Sequence, residues 1–369
     1  MDIYVLNKQF EPVYVVDSFI SFIWTDRYSD YGDFEIDLIA TPEQFEIFKI
    51  GYYLQIKESS HLMIIESIQI TADAEDGDKL QITGRSLESI LSRRVVWGQI
   101  TFGARKTVQE VIERLLTDAF MTPGNRYVSN FRFKSNPELA ESPILSEENT
   151  SYGIQYTGDE ISSAVMGLCY DHSLGFKMGL NDDKEIVFEL YKGVDHSYDN
   201  PNNNTYVIFS PEFENVLSSN YLESHKGLKN VSLIGGEGEG NARVMVAVGD
   251  NEYTGLDRFE MFTDARDISS RSYDEQGNEI VISQSDYVTL LAYRGIEKLA
   301  ECQKNVAFEG EVETKKSFIY GEDYFLGDIV ELADNYGHEK KCRVVEMVVS
   351  YTVSDGYSIY PTFELIEEE

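Results

Sequence analysis

Ile68 and Ile70 stand opposite Leu80 and Ile82 across Glu75-Asp76-Gly77-Asp78, with Gln69, Thr71, Gln81 and Thr83 between them. Alternation at period two puts one set on a buried face and the other in water, which a helical period cannot do. The pattern predicts an antiparallel hairpin. Met1–Leu6, Pro12–Asp17, Ser18–Trp24, Phe34–Ile39, Tyr53–Ile56, Met63–Ala72 and Lys79–Thr83 are similar short runs, rich in Val, Ile, Tyr and Phe. The first hundred residues therefore read as sheet, closed by a brief helix over Ser86–Ser92.

The period then changes. Thr107-Val108-Gln109-Glu110 is a capping box, in which a hydroxyl takes the third helical N–H and a carboxylate reaches back. Val108, Val111, Ile112, Leu115, Leu116 and Ala119 follow at helical spacing until Pro123-Gly124. Residues Ser129–Tyr156 are polar and read as a long loop. A second helix is predicted from Asp159 to Tyr170, then a hairpin of Phe176–Leu180 and Ile186–Tyr191 around Asn181-Asp182-Asp183-Lys184. Asp199–Asn204 is the clearest boundary loop. Strands return at Tyr206–Phe209, Leu228–Gly235 and Arg243–Gly249. The longest helix is predicted over Asp286–Cys302, with Val288, Leu291, Ile296 and Leu299 inward. Ala307–Val312, Asp328–Leu332, Cys342–Thr352 and Ser358–Leu365 are the last strands, before a solvated tail, Glu367–Glu369. The fold class is α+β, mostly β, and 369 residues suit two or three domains.

The segment Asn230–Val248 carries Gly235-Gly236-Glu237-Gly238-Glu239-Gly240 and superficially resembles a phosphate loop. Such a loop needs a helix N-terminus after the glycines. Here a second strand-like run, Val244–Val248, follows, no P-loop lysine is present, and two glutamates would repel phosphate. A strand–loop–strand hairpin is the better reading.

Acids outnumber bases 65 to 31, for a net charge of −34, which excludes nucleic-acid binding by counterion release and disfavours an anionic membrane surface. Either a solvated surface or a wall past which another polyanion must slide would use such charge. Cys169, Cys302 and Cys342 form no CxxC pair, so a disulfide framework is not expected. No basic, apolar leader and no run of about 18 apolar residues occurs, so neither a signal peptide nor a membrane span is expected.

The histidines His61, His172, His196, His225 and His338 lack metal-ligand spacing. Asp171-His172 and Asp195-His196 could be oriented bases, but such pairs arise by chance in an Asp-rich chain. No nucleophile elbow or papain-type cysteine appears, and Asn181-Asp182-Asp183 lacks a calcium-loop pattern, so it reads as a solvated turn. Gly255-Leu256-Asp257-Arg258 and Asp264-Ala265-Arg266-Asp267 are either structural ion pairs or inter-subunit contacts. No catalytic, cofactor-binding or metal-ligating residue is assigned, and no cofactor is expected.

Several blocks occur in order: Ile23-Trp24-Thr25-Asp26-Arg27-Tyr28, Gly32-Asp33-Phe34-Glu35-Ile36, Gly84-Arg85-Ser86-Leu87-Glu88-Ser89-Ile90-Leu91-Ser92-Arg93-Arg94 and Phe209-Ser210-Pro211-Glu212-Phe213-Glu214-Asn215. The Gly235–Gly240 segment with Arg243, Gly255–Glu260 and Asp264–Asp267 complete the set. Together, over nearly the whole chain, they resemble the siphophage tail hub family, the Gp37-like tail proteins related to tail-associated lysin N-terminal modules and contractile-tail baseplate hubs. The resemblance implies two tube-like β-barrel domains with helix-containing insertions, baseplate-hub-like. It also implies a homotrimer whose pseudo-sixfold ring mates with a sixfold tail tube. The split β pattern fits: a first barrel over 1–104, an α+β lateral insertion over 105–204, and a second barrel over 205–369, interrupted by a helical insertion at about 261–304.

The expected role is a structural, non-enzymatic hub at the tail tip of a phage, prophage or tail-like particle, assembled in the host bacterial cytoplasm and lining the DNA channel during genome ejection. Expected partners are a distal tail protein and tail tube or tape measure proteins. Because the second barrel's expected last strand ends near Glu369, any lysin, spike or fibre is expected as a separate polypeptide. Specific nucleic-acid binding and membrane insertion are not expected. The alternatives are a cell-wall polysaccharide or peptidoglycan hydrolase using Asp and Glu as acid and base, and a receptor-glycan module using exposed Tyr and Trp faces.

Overall fold

The computed structural model describes residues 2–72, 77–140, 145, 151–312, 317–334, 339–354 and 356–366. Part of the Glu75–Asp78 turn, His338 and the Glu367–Glu369 tail therefore lie outside the described residues.

The N-terminal strands are β1 (Ile3–Leu6), β2 (Pro12–Val16), β3 (Ser21–Arg27) and β4 (Asp33–Ile39), followed by the short α1 (Pro42–Ile47), β5 (Tyr53–Gln55), β6 (Met63–Thr71) and β7 (Lys79–Ser86). The predicted hairpin forms in the predicted register: Ile68 pairs with Ile82 and Ile70 with Leu80. Leu80 and Ile82 are fully buried, whereas Ile70, beyond the end of the core, is exposed. Phe22, Trp24, Phe34, Ile36, Leu80 and Ile82 supply the core beneath.

The middle of the chain forms β8 (Gln99–Gly103), α2 (Val108–Leu116), β9 (Phe131–Lys134), β10 (Tyr152–Thr157), α3 (Ile161–Asp171), β11 (Gly175–Leu180) and β12 (Ile186–Tyr191). The capping box is present: Glu110 N donates to Thr107 Oγ1 at 3.1 Å, and Thr107 N donates to Glu110 Oε2 at 2.9 Å. The stretch read as a loop is a correction, because it contains β9, paired in parallel with β12, and β10, paired with β8. Tertiary stacking explains β9. Phe131 stacks on Phe120 at 4.8 Å and Phe133 on Phe188 at 5.8 Å, so four residues are held as a strand too short to show a period.

Next come β13 (Ile208–Phe209), β14 (Val216–Ser224), β15 (Val231–Gly235), β16 (Met245–Val248), β17 (Glu260–Asp264), β18 (Arg271–Tyr273), β19 (Glu279–Val281) and α4 (Gln284–Ala300). The glycine segment is a hairpin, with β15 antiparallel to β16 and parallel to β17 in a sheet of their own, packed on α4. Tyr287, Leu290, Leu291, Gly295 and Leu299 are the buried face of α4. Val288 and Ile296, expected inward, are exposed. Gly295 explains the rotation: a Cβ there would lie 2.5 Å from Ile234 Cδ1, so α4 presents its smallest side chain where it approaches β15.

The last strands are β20 (Asn305–Val312), β21 (Ile329–Ala333), β22 (Glu339–Thr352) and β23 (Gly356–Leu365). They do not form a separate barrel. Among the described residues one 13-stranded sheet runs β14-β20-β23-β22-β3-β4-β7-β6-β5-β1-β2, with β21 and β13 attached beside β22. Neither β unit closes on itself, because β3 gives its second edge to β22 and not to β2.

Candidate assembly surface

β22 is long enough to serve two neighbours on one edge. Its first residues, Glu339–Arg343, pair with β21, and Glu346–Thr352 pair with β3. The switch falls at the bulge between Val344 and Glu346, where Val345 O accepts from Tyr28 N at 2.9 Å. Each core takes a side chain from across this seam. Val349 packs among the N-terminal aromatics, and Tyr28 packs with Phe209, Tyr324, Val330 and Phe363.

The seam leaves one continuous polar face. In one register row Thr83, Glu35, Ile23, Ser350 and Ser358 lie side by side, and in the next Gln81, Asp37, Ser21 and Thr352. All are partly or fully exposed, while the alternate row, Ile82, Ile36 and Phe22, is buried. The arginines on this face are held by acids, Arg27 by Asp33 at 2.6 Å and Glu346 at 2.7 Å and Arg85 by Glu66 at 2.7 Å, and Lys79 stands at its end opposite Ile39. Glu35 and Asp37 remain beside Thr, Ser and Gln side chains, so the uncompensated charge of this stretch is negative.

Beneath the seam lies a buried polar cluster that sequence spacing does not reveal. His61 Nδ1 is 2.8 Å from Glu88 Oε1, which also accepts from Met178 N at 2.6 Å on β11. Asp26 of β3, 3% exposed, accepts from Trp24 Nε1 at 2.9 Å. Burial alone would lower the His61 pKa; Glu88 and Asp26 outweigh it and hold the imidazolium up to about 9. Burial pushes Glu88 upward, but His61 and its hydrogen bonds bring it below the usual range. Asp26 is raised, chiefly by burial. The cluster ties the N-terminal sheet to the middle of the chain. Its members are 27 and more residues apart in sequence, so no local motif marks them.

The residues weighed for chemistry are not brought together. Burial lowers the His172 pKa, while Asp171 is pushed up to about 7 by burial, with Glu297 and Glu301 adding to it. His196 donates from Nδ1 to Thr205 O, 2.6 Å away, and its Nε2 sits 3.4 Å from Asp328, while Asp195 caps Ser197 N. His225 is exposed beside Glu223. Asn181 Oδ1 accepts from Asp183 N and Glu185 N, the geometry of a solvated turn. Among the described residues no group of His, Cys, Asp and Glu is arranged to hold a metal ion, and no helix is long and apolar enough to cross a membrane. Cys169 and Cys342 are buried free thiols, and Cys302 is a half-buried one.

The glycine segment binds itself. Arg243 donates to Gly235 O and Gly236 O and pairs with Asp264, and Glu237 accepts from Ser269 and Ser270 hydroxyls. Arg258 pairs with Asp250 and Glu260, and Arg294 with Asp267, so the alternating acid–arginine blocks make ion pairs within the chain.

The family model described as the Siphovirus ReqiPepy6 Gp37-like protein matches residues 2–363. The chain belongs to that family of siphovirus tail proteins. The fold agrees. It is similar to a tail protein from Neisseria meningitidis MC58, with a TM-score of 0.57 at 12% identity, over 99% of this chain and 96% of that one. The 43 kDa tail protein of prophage MuSo2 from Shewanella oneidensis gives 0.54 at 10% identity, over 98% of each chain. Prophage tail protein gp18 from Listeria monocytogenes EGD-e gives 0.51 at 14% identity, over 100% of this chain and 95% of that one. No curated protein sequence matches the chain.

Proposed function

We propose that this chain is the structural hub at the distal tip of a tail. Three copies form a ring that adapts a sixfold tail tube to a threefold tip. The observation that carries this reading is the β3–β22 ladder, which places two β units side by side in one sheet with a common polar face. A subunit with two such units offers six positions in a ring of three. Division of labour follows the chain: 1–104 and 205–369 supply the two tube-like units, 105–204 is a lateral insertion, and the layer carrying α4 is a second insertion.

The polar face would line the channel. Glu35 and Asp37 there keep DNA from adhering by long-range repulsion, so passage during genome ejection needs no release step. With −34 charges per copy, trimerisation must rest on apolar or arginine-centred contacts. The partners are then a distal tail protein, the tail tube or tape measure protein, and a separate spike, fibre or lysin. The role is structural: His196, hydrogen-bonded to Thr205 O and 3.4 Å from the buried Asp328, ties its loop to the residue before β21, and burial lowers the His172 pKa.

Native mass spectrometry and light scattering at physiological salt test the proposal. A trimer seen as a ring with a central hole in negative stain is the expected result. A stable monomer at about 10 μM, a concentration at which specific assemblies with nanomolar to micromolar affinity persist, would overturn it.

A further inference from the structure

Trp97 is out of keeping with the rest of the chain. The only other tryptophan, Trp24, is fully buried, whereas Trp97 is 83% exposed. It is not loose. Val96 N donates to Asp159 O at 2.8 Å and Gly98 N donates back to Val96 O at 3.1 Å, so the indole sits on a tight turn. Gly98 has φ +119°, a conformation left to glycine, and a Cβ there would meet nothing, so the residue is needed for the bend and not for space. Arg126 donates from Nη2 to Val95 O at 2.7 Å and holds its guanidinium 5.8 Å from the indole centroid. The ring is therefore positioned in advance.

Beside it opens a pocket of about 470 Å³, within the range usual for small-ligand sites. Its floor is apolar, from the buried Ile100, Leu115 and Ile161. Tyr273, 48% exposed on β18, adds a second aromatic wall. The rim alternates signs: Arg114 donates from Nε to Asp118 at 2.8 Å, and Asp274 accepts from Asn278 and Gln276 N–H groups. Asp118 accepts from Arg114 and keeps lone pairs for further donors, whereas Asp274 already accepts three hydrogen bonds within its turn, since an ionised carboxylate offers about four acceptor sites.

We propose that this pocket binds a neutral saccharide, with one face of a pyranose ring stacked on Trp97 and its hydroxyls bridging the acids and arginines of the rim. Aromatic rings offer their electron-rich faces to the weakly positive C–H bonds of a sugar, while a rim of planar polar groups matches vicinal hydroxyls. Two arginines against two aspartates leave the rim without net charge, and the strongly acidic chain would repel an anionic glycan at long range. This goes beyond the hub reading and does not depend on it.

The two tryptophans make the test direct. Full-length protein is titrated with neutral probes: the trimer of N-acetylglucosamine, and trisaccharides of glucose, galactose and rhamnose. Emission and acrylamide quenching are followed for the parent protein, saccharide binding to the parent and to variants lacking Trp97 is measured by saturation-transfer NMR, and the oligomeric state is recorded by light scattering. One probe is expected to shield the red-emitting Trp97 component at about 10 mM or less, a weak single-site affinity. Trp97→Ala should weaken binding at least about tenfold and Trp97→Phe by about two- to fivefold, the smaller ring keeping part of the stack. Because the side chain is exposed, both variants keep the melting transition and the blue emission of Trp24. The proposal is overturned if no probe shields Trp97, or if Trp97→Ala binds as well as the parent. It is equally overturned if shielding follows protein concentration instead of saccharide, which would mean that another protein copy covers the indole. A monomer by light scattering with saccharide binding intact would instead count against the hub reading alone.

Discussion

Arg27 on β3 donates from Nε to Glu346 Oε2 on β22 at 2.7 Å, across the ladder that joins the N-terminal strands to the C-terminal ones. The same guanidinium donates to Asp33 and to Tyr31 O, so a single half-buried side chain fastens both the seam and the β3–β4 turn.

Arg27→Ala should destabilise the protein by about 1–3 kcal/mol, the range for losing charge-assisted hydrogen bonds at a partly exposed site. Arg27→Lys should recover only part, because an ammonium cannot serve three acceptors in a planar fork. Urea unfolding followed at the buried Trp24 reads the change.

The buried His61–Glu88 pair predicts a stability loss on the alkaline side. The folded pKa of His61, about 9, lies above its ordinary 6.5, so its contribution is complete below pH 6.5 and is lost as pH rises through 9. Such a shift corresponds to about 3 kcal/mol as an order of magnitude. Glu88 is depressed, so its contribution is present above its ordinary value and is lost on acidification. Asp26, raised by burial, opposes part of this gain at neutral pH. Melting temperature should therefore fall between pH 7 and 10, and Glu88→Gln should flatten that slope while lowering stability at pH 7. An unchanged slope in Glu88→Gln would refute this account.

Gly84→Ala should prevent folding or cost more than about 4 kcal/mol, a loss reserved for severe backbone or core clashes. A Cβ on Gly84 would lie 1.8 Å from Ile64 O, between β6 and β7, and one on Gly32 would lie 1.9 Å from Thr25 O. Soluble expression and circular dichroism decide it; native-like melting of Gly84→Ala would contradict the packing described.

Tyr28→Phe isolates the hydroxyl at the three-way junction. Tyr28 Oη donates to Ser173 O at 3.0 Å and accepts from Gly193 N at 3.3 Å, while its ring fills the space left by Gly175 and Gly327. A loss of about 1–2 kcal/mol is expected, since both partners would remain with little access to water. Tyr28→Ala should cost about 3–5 kcal/mol, the range for emptying an aromatic core site. Guanidinium denaturation compares the two.

The features legible in the sequence are the local ones. The Thr107–Glu110 capping box, the Ile68/Ile82 register and the glycine hairpin all depend on neighbours within a turn or across one loop. Structure and sequence pattern diverge where distant contacts decide. Phe131–Lys134 is a strand because Phe120 and Phe188 stack on it, and α4 turns Val288 outward because Gly295 meets Ile234. Glycines quoted for the family resemblance, Gly32 and Gly84, prove to be sites of close backbone approach, a reason invisible in the sequence.

Period and capping, which are properties of short segments, determined from the sequence alone that this chain is mostly β with three principal helices, and the ordered motifs marked its family. Only the tertiary structure decided that β3 pairs with β22, that the sheet stays open where barrels were expected, and that His61, Glu88 and Asp26 meet. Strand partners separated by some three hundred residues are chosen by the free energy of the whole assembly of faces, which no local window contains.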